Sequence, residues 1–350
     1  MKIVSVVGAR PQFIKSAPVS KAIREAGYHE YQVHSGQHYD YGMSRVFFEE
    51  LGMIEPAINL GIGSGSHAYQ TGHMLIGIEQ ILLDQKPDIV LVYGDTNSTL
   101  AGALAAAKLN IKLAHVEAGL RSYNRDMPEE HNRVLTDHCS DVLFCPTQAA
   151  VDNLSNEGIQ KGVHLVGDTM YDAVLQYGEL AAERSQIIQA LDLEPKKYLL
   201  TTIHRASNTD APENLHKIFA AFQRVTDRII FPIHPRTAHV ITAESIRIPK
   251  NVQMIDPVGY LDMLTLEKHA RLILTDSGGM QKEAYFFQVP CLTLRRETEW
   301  VETVESGWNI LVACDIEQIV NGIKKPGWPK PIPGSFYGDG NASYKIVNLL

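Results

Sequence analysis

The chain has no excess of positive charge: 32 Lys and Arg stand against 40 Asp and Glu, a net −8, which argues against nucleic acid or an anionic membrane surface as the main partner. Cysteine is scarce, and Cys139, Cys145, Cys291 and Cys314 show neither paired nor metal-ligand spacing, so reduced, buried thiols are expected. No segment approaches the roughly 20 apolar residues of a membrane span. The opening Met1–Gly8 stretch lacks the longer apolar run and cleavage site of a secretion signal, so a cytoplasmic location and no membrane partner are expected. There is no Gly-x-Gly-x-x-Gly fingerprint after the first strand, which disfavours a tightly bound dinucleotide. The histidines form no His-x-x-x-His pair on a helix and have no neighbouring cysteine, so no metal is expected.

What is present is an ordinary globular composition, 45% hydrophobic and 21% charged over 350 residues. That length exceeds what one core usually serves, so two domains are expected. Short apolar runs at Ile3–Val7, Tyr31–His34, Ile89–Tyr93, Leu113–Val116 and Val142–Cys145 read as buried strands separated by helical stretches. A second series comes at Tyr198–Thr202, Ile229–Ile233, Val252–Ile255, Leu272–Thr275 and Cys291–Leu294. Apolar strands alternating with helices imply parallel sheets covered on both faces: an α/β fold of two doubly wound, Rossmann-like domains facing a cleft. The expected boundaries are 1–168 for the first domain, with a final helix in 336–350 packing back on it, and 169–335 for the second. Pro18 is expected to kink or break the first helix near its middle.

In open parallel sheets ligands bind beyond the carboxyl ends of the strands, so the residues just past each strand are the candidates for function. After the first strand come Gly8, Arg10 and Lys15. Asp95 lies just past Ile89–Tyr93, and Glu117 just past Leu113–Val116. Glu129 and Glu130 open a helix behind Pro128, with Arg133 one turn beyond Glu129. Taken singly, Asp95 could be a helix cap and the Glu129–Arg133 spacing a plain i,i+4 ion pair. Several carboxylates at strand ends favour acid–base chemistry instead.

In the second half, Asp276-Ser277-Gly278-Gly279 opens a helix whose exposed N–H groups and dipole suit a phosphate. Glu283, about two turns in, is placed to take ribose hydroxyls; the plainer reading is a tight turn with a surface glutamate. His204-Arg205 and His234-Pro235-Arg236 end two further strands and suit a diphosphate. His38, after Gly36-Gln37, is a weaker candidate.

At these residues the sequence resembles the non-hydrolysing UDP-N-acetylglucosamine 2-epimerase family, and the match runs over essentially the whole chain. It rests on Gly8-Ala9-Arg10-Pro11-Gln12-Phe13-Ile14-Lys15, Gly94-Asp95-Thr96-Asn97-Ser98, His115-Val116-Glu117-Ala118-Gly119-Leu120-Arg121, Pro128-Glu129-Glu130, Asn132-Arg133, Thr275-Asp276-Ser277-Gly278-Gly279 and Tyr337-Gly338-Asp339-Gly340. The resemblance implies the architecture of B-type glycosyltransferases, a homodimer, a UDP-sugar substrate and no cofactor. It places Asp95, Glu117, Glu129 and His204 on catalytic positions. Arg10, Ser277, Gly278, Gly279 and Glu283 fall on UDP-binding positions, and Lys15, Arg133 and His234 on further active-site positions. Arg205, beside His204, is expected to stabilise diphosphate charge.

Many members carry Gly-His-Arg-Arg-Glu-Ser where this chain has Ile203-His204-Arg205-Ala206-Ser207-Asn208. Gln12, Lys282 and Trp300 stand where the UDP-N-acetylglucosamine enzymes usually have Glu, Glu and Arg. Those choices resemble the branch acting on UDP-2,3-diacetamido-2,3-dideoxy-glucuronate. The reaction implied is inversion of carbon 2 by elimination and re-addition of UDP through a glycal. The rivals are epimerisation of UDP-N-acetylglucosamine itself, a glycosyltransferase of the same fold, and a non-catalytic nucleotide-sugar sensor.

Overall fold

The computed structural model describes residues 1–37, 50–328 and 336–350; His38 lies outside them. The chain forms two compact units, one of Met1–Gln176 with the chain end through Leu350, the other beginning at Tyr177. Each is a parallel sheet interleaved with helices, a Rossmann-like α/β domain.

In the first unit the strands are β1 (Lys2–Val7), β2 (His29–His34), β3 (Ile58–Asn59), β4 (Ile89–Tyr93), β5 (Lys112–Val116), β6 (Val142–Cys145) and β7 (Val163–Leu165), in the order β3-β2-β1-β4-β5-β6-β7. One sheet face, with Val4, Val6, Val90 and Val92 fully buried, packs on Met74 and Ile78 of the His67–Gln85 helix and on the Asn97–Lys108 helix. The latter is rich in alanine, and a Cβ on its Gly102 would come within 3.0 Å of Val92. Small residues thus let this helix lie close on the sheet, and burying each valine contributes about 1.5–3 kcal/mol.

The other face carries the Arg10–Glu25 helix, itself covered by the final helix, Ala342–Leu349. The expected break at Pro18 does not occur: the helix runs through it. Pro18 removes one rung of the hydrogen-bond ladder, and the buried run on both sides of it, Gln12 to Ser20, holds the helix against the sheet.

The second unit contains β8 (Tyr198–Thr202), β9 (Arg228–Pro232), β10 (Val252–Ile255), β11 (Leu272–Thr275), β12 (Cys291–Thr293) and β13 (Asn309–Leu311), in the order β10-β9-β8-β11-β12-β13. Apolar clusters cover both faces, one around Leu199, Phe219 and Phe231, the other around Leu200, Ile230 and Ile273. The strands missing from the sequence reading, β3, β7 and β13, are edge strands of two or three residues.

In both sheets the strand order reverses beside the first strand of the unit, between β1 and β4 and between β8 and β11. Such a switch point opens a crevice at the carboxyl ends of the two strands. Among the described residues no helix is long and apolar enough to cross a membrane. Of the four free thiols, Cys145 and Cys291 are buried as expected, whereas Cys139 and Cys314 are half-buried. Burial pushes the Cys291 thiol up to about 12 and Cys314 up to about 11, which keeps them protonated and unreactive.

Candidate active site

At the switch point of the first unit, β1 ends in Gly8, where any side chain would collide with the hydroxyls of Ser35 and Ser98. The Gly8 and Ala9 N–H groups donate to Gln12 Oε1 at 2.9 and 3.0 Å, while Gln12 Nε2 donates to the Tyr93 carbonyl and to Thr99 Oγ1, both at 3.0 Å. One buried amide therefore ties the β1 turn to the end of β4. Arg10 opens the helix after this turn, and Lys15 lies just over a turn later, its Nζ 2.5 Å from Glu117 Oε1.

Asp95 is not the cap of the next helix; Thr96 is, accepting from the Thr99 N–H. The Asp95 carboxylate pairs instead with Arg133 Nη2 at 2.5 Å, and its carbonyl accepts from Asn132 Nδ2 at 3.0 Å. Arg133 also reaches Glu130 at 3.1 Å. The two adjacent glutamates differ in environment. Glu130 is buried and accepts from the Ser122 and Tyr123 N–H groups and the Ser122 hydroxyl, which makes it a loop anchor. Glu129 is half-buried in the first turn of the Pro128–Cys139 helix. Lys15 and Glu117, and Arg133 and Asp95, are thus joined in two ion pairs beyond the ends of β4 and β5, while Arg10 and Glu129 lie in the first turns of their helices.

Glu117 adopts φ +72, in the left-handed region that non-glycine residues avoid. Its backbone is fixed by N–H bonds from Glu117 and Ala118 to the Phe144 carbonyl, both 3.1 Å. Beneath lies a buried cluster that the sequence did not reveal. Asp137 faces His115 Nδ1 at 2.7 Å, Arg121 Nη1 at 2.7 Å and the Gly119 N–H at 3.1 Å, and Arg121 forms a second, two-pronged pair with Glu157. Burial pushes the Asp137 carboxyl up, but His115 and Arg121 together hold it below the usual carboxylate range.

At the switch point of the second unit the organising group is Asp276, fully buried. It accepts from the His204 and Arg205 N–H groups at 3.0 Å and from Asn208 Nδ2 at 3.0 Å, and it lies 3.3 Å from His204 Nδ1. The His204 and His234 rings are 5.7 Å apart. Ser277 caps the Gly278–Phe286 helix, and a Cβ at Gly278 would collide with the Glu299 carboxylate. A residue without a side chain lets the Glu299 carboxylate lie close to the helix start, where N–H groups and the helix dipole suit an anion. Glu283 is buried, not a surface residue, and accepts from the Tyr260 hydroxyl at 3.0 Å. Behind it Lys282 is fully buried, its Nζ 3.8 Å from the centroid of the Trp300 ring.

Chemically, the first unit offers carboxylates each beside a cation, a setting for proton transfer. The second offers imidazoles, an arginine and a helix start, a setting for an anion. The organising roles of Asp276 and of the Asp137 cluster were not read from sequence, because their partners lie on other segments of the chain. The one local hint was Asp276, directly before Ser277-Gly278-Gly279.

A family model described as UDP-N-acetylglucosamine 2-epimerase matches residues 21–350. The chain is 56% identical over 355 residues to a UDP-N-acetylglucosamine 2-epimerase homolog of Methanococcus maripaludis, with 100% of this chain and 99% of that protein covered. It is 48% identical over 358 residues to the UDP-2,3-diacetamido-2,3-dideoxy-D-glucuronate 2-epimerase of Pseudomonas aeruginosa, with the same 100% and 99% covered. Among solved structures, that of the Methanocaldococcus jannaschii UDP-GlcNAc 2-epimerase in complex with UDP-GlcNAc and UDP superposes with a TM-score of 0.93 at 45% identity, covering 100% of this chain and 99% of that one.

Proposed function

The chain belongs to the UDP-N-acetylglucosamine 2-epimerase family, and on that footing we propose that it inverts carbon 2 of a UDP-linked N-acetylated sugar by eliminating and re-adding UDP. The observation that carries the reading is the pair of carboxylates at the ends of adjacent strands β4 and β5, Asp95 beside Arg133 and Glu117 beside Lys15.

Carbon 2 of such a sugar has no neighbouring carbonyl to acidify its hydrogen. Elimination removes that difficulty. A base takes the carbon 2 proton, the C–H electron pair becomes the C1=C2 double bond, and UDP leaves carbon 1 with the C–O pair. The glycal is then protonated at carbon 2 from the opposite face as UDP re-forms the bond to carbon 1. Asp95, Glu117 and Glu129 are the proposed proton-transfer groups, supported by Lys15 and Arg133. Arg10, His204, Arg205, His234 and the N–H groups at Ser277-Gly278-Gly279 are proposed to stabilise the diphosphate, and Glu283 to hold the ribose.

The preferred substrate proposed is UDP-2,3-diacetamido-2,3-dideoxy-glucuronate, supported by Gln12, Lys282 and Trp300 and by the Pseudomonas aeruginosa relative. The amide of Gln12 is spent on the loop backbone and Lys282 is stacked on Trp300, so these residues act by shaping the loop and removing buried negative charge. The alternative, UDP-N-acetylglucosamine, is favoured by the Methanococcus maripaludis relative.

A homodimer is proposed as well; Tyr69, Ile76 and Leu83, spaced seven residues apart on the His67–Gln85 helix, are exposed and would be covered by a second copy. The proposed location is the cytoplasm.

Incubation with each UDP-sugar alone in deuterated water tests the reading. A new epimer carrying deuterium at carbon 2 is expected without any acceptor. No epimer would leave a transferase or a sensor, and product fully protonated at carbon 2 would eliminate the mechanism. The ratio of kcat/KM for the two sugars decides the branch.

A further inference from the structure

The side chain of His115 is fully buried on β5, and both of its ring nitrogens are engaged: Nδ1 lies 2.7 Å from Asp137 Oδ1, and Nε2 lies 2.7 Å from the carbonyl oxygen of Gly94. A carbonyl oxygen can only accept, so Nε2 carries a hydrogen. Asp137 is surrounded by donors, with Arg121 Nη1 and the Gly119 N–H on its other oxygen. A carboxylate so engaged is ionised and also only accepts, so Nδ1 carries a hydrogen too.

We propose that His115, with a hydrogen on each ring nitrogen, is a buried imidazolium that acts as a positioning residue for the two candidate catalytic loops. Through Nε2 it clamps the Gly94 carbonyl, one residue before Asp95. Through Asp137 it is joined to Gly119 and Arg121, which fix the turn that holds Glu117 at its left-handed φ. One charged ring therefore sets the spacing of the two carboxylates just past β4 and β5.

The groups around the ring keep its charge balanced. His115 and Arg121 are the cations, Asp137 and Glu157 the anions. The Cys145 thiol on β6 stays neutral because burial and the nearby Asp137 charge push its pKa up. The consequence for catalysis rests on the epimerase reading; the protonation state does not.

The test uses the whole chain labelled with 15N-histidine, with the His115 signals identified by their loss in His115→Gln. NMR is expected to show directly bonded hydrogens on both ring nitrogens at neutral pH. A bare nitrogen at neutral pH overturns the imidazolium. Asp137→Asn, which keeps the shape but not the charge, is expected to bare one nitrogen and to lower kcat by roughly 10- to 100-fold through displacement of the loops, with KM and calorimetric UDP affinity held within about threefold.

His115→Gln can still donate to Gly94 and is the second variant; its kcat is expected to fall as well. Parental kcat in either folded variant overturns the positioning role. A parent enzyme inactive on every UDP-sugar would sink the functional reading while leaving the NMR result standing.

Discussion

Glu117→Gln removes one charge and almost no volume from a pair whose side chains are 9% and 6% exposed, with Lys15 Nζ and Glu117 Oε1 2.5 Å apart. Deleting one partner of a buried ion pair costs about 3–5 kcal/mol. Glutamine keeps an oxygen that can accept from Lys15, so the loss narrows to the difference between a charge-assisted and a neutral hydrogen bond plus an imperfectly compensated ammonium, about 1–3 kcal/mol. For a unit of this size each kcal/mol lowers Tm by roughly 2–4 °C, so the variant stays folded at ordinary assay temperatures. Turnover is expected to fall by about 10² or more, the scale of a lost acid–base group, which corresponds to at least about 2.7 kcal/mol of barrier.

Calorimetry with UDP separates the roles, since the nucleotide groups are assigned elsewhere and affinity is expected to change by less than about twofold. Glu117→Gly supplies the control. At φ +72 glycine escapes a backbone cost of about 1–2 kcal/mol, which offsets only part of the about 3–5 kcal/mol lost with the buried pair, and it should be as inactive as the glutamine variant. A folded Glu117→Gln enzyme with parental kcat would make Glu117 a structural residue and refute the reasoning.

Glu283→Ala is expected to weaken UDP binding by about 1–3 kcal/mol, the loss of a charge-assisted acceptor; unchanged calorimetric affinity would place the ribose elsewhere. Glu30 offers a pH test. Burial pushes its carboxyl above the ordinary value against the pull of Ser5, Ser20 and Arg24, so its contribution to stability is full below the unfolded value of about 4.3 and is lost as pH rises through the raised one. Glu30→Gln should therefore raise Tm more at about pH 8 than at about pH 4, and an equal change at both would refute the assignment. Gln12→Leu strips the Gly8 and Ala9 N–H groups of their acceptor, and kcat/KM is expected to fall by roughly 10-fold or more as the Arg10 turn loosens; parental kcat/KM in the folded variant would show that the turn needs no such tie.

The strands with long apolar runs were legible because both faces of each sheet are covered, so runs such as Ile89–Tyr93 contain no polar alternation. β3, β7 and β13 were not, because two or three half-buried edge residues carry no periodicity. Pro18 does not end its helix for a local reason: its own chemistry favours a break, and the burial around it on the sheet decides otherwise. The same division runs through the site. Asp95 and Glu117 could be found from position, since each comes directly after a strand and its Gly94 or Val116. Their partners could not: Lys15–Glu117 spans 102 residues and Arg133–Asp95 spans 38. The division of labour between Glu129 and Glu130 is likewise invisible in a Pro-Glu-Glu triplet, because it depends on where the Ser122–Tyr123 backbone runs.

The last helix has a consequence for synthesis. Asp172, buried, receives the N–H groups of Ala342 and Ser343 at 3.1 and 2.7 Å, and the Asp168 N–H donates to the Tyr337 carbonyl at 2.9 Å. Ile346 and Val347 are buried, and their helix lies against Arg10–Glu25, the one that starts with Arg10 and Lys15. The Arg10 helix is therefore made long before the residues that cover it. A nascent protein stalled ahead of Ala342 exposes the back of that helix, and the ribosome must translate the whole second unit before the first can close.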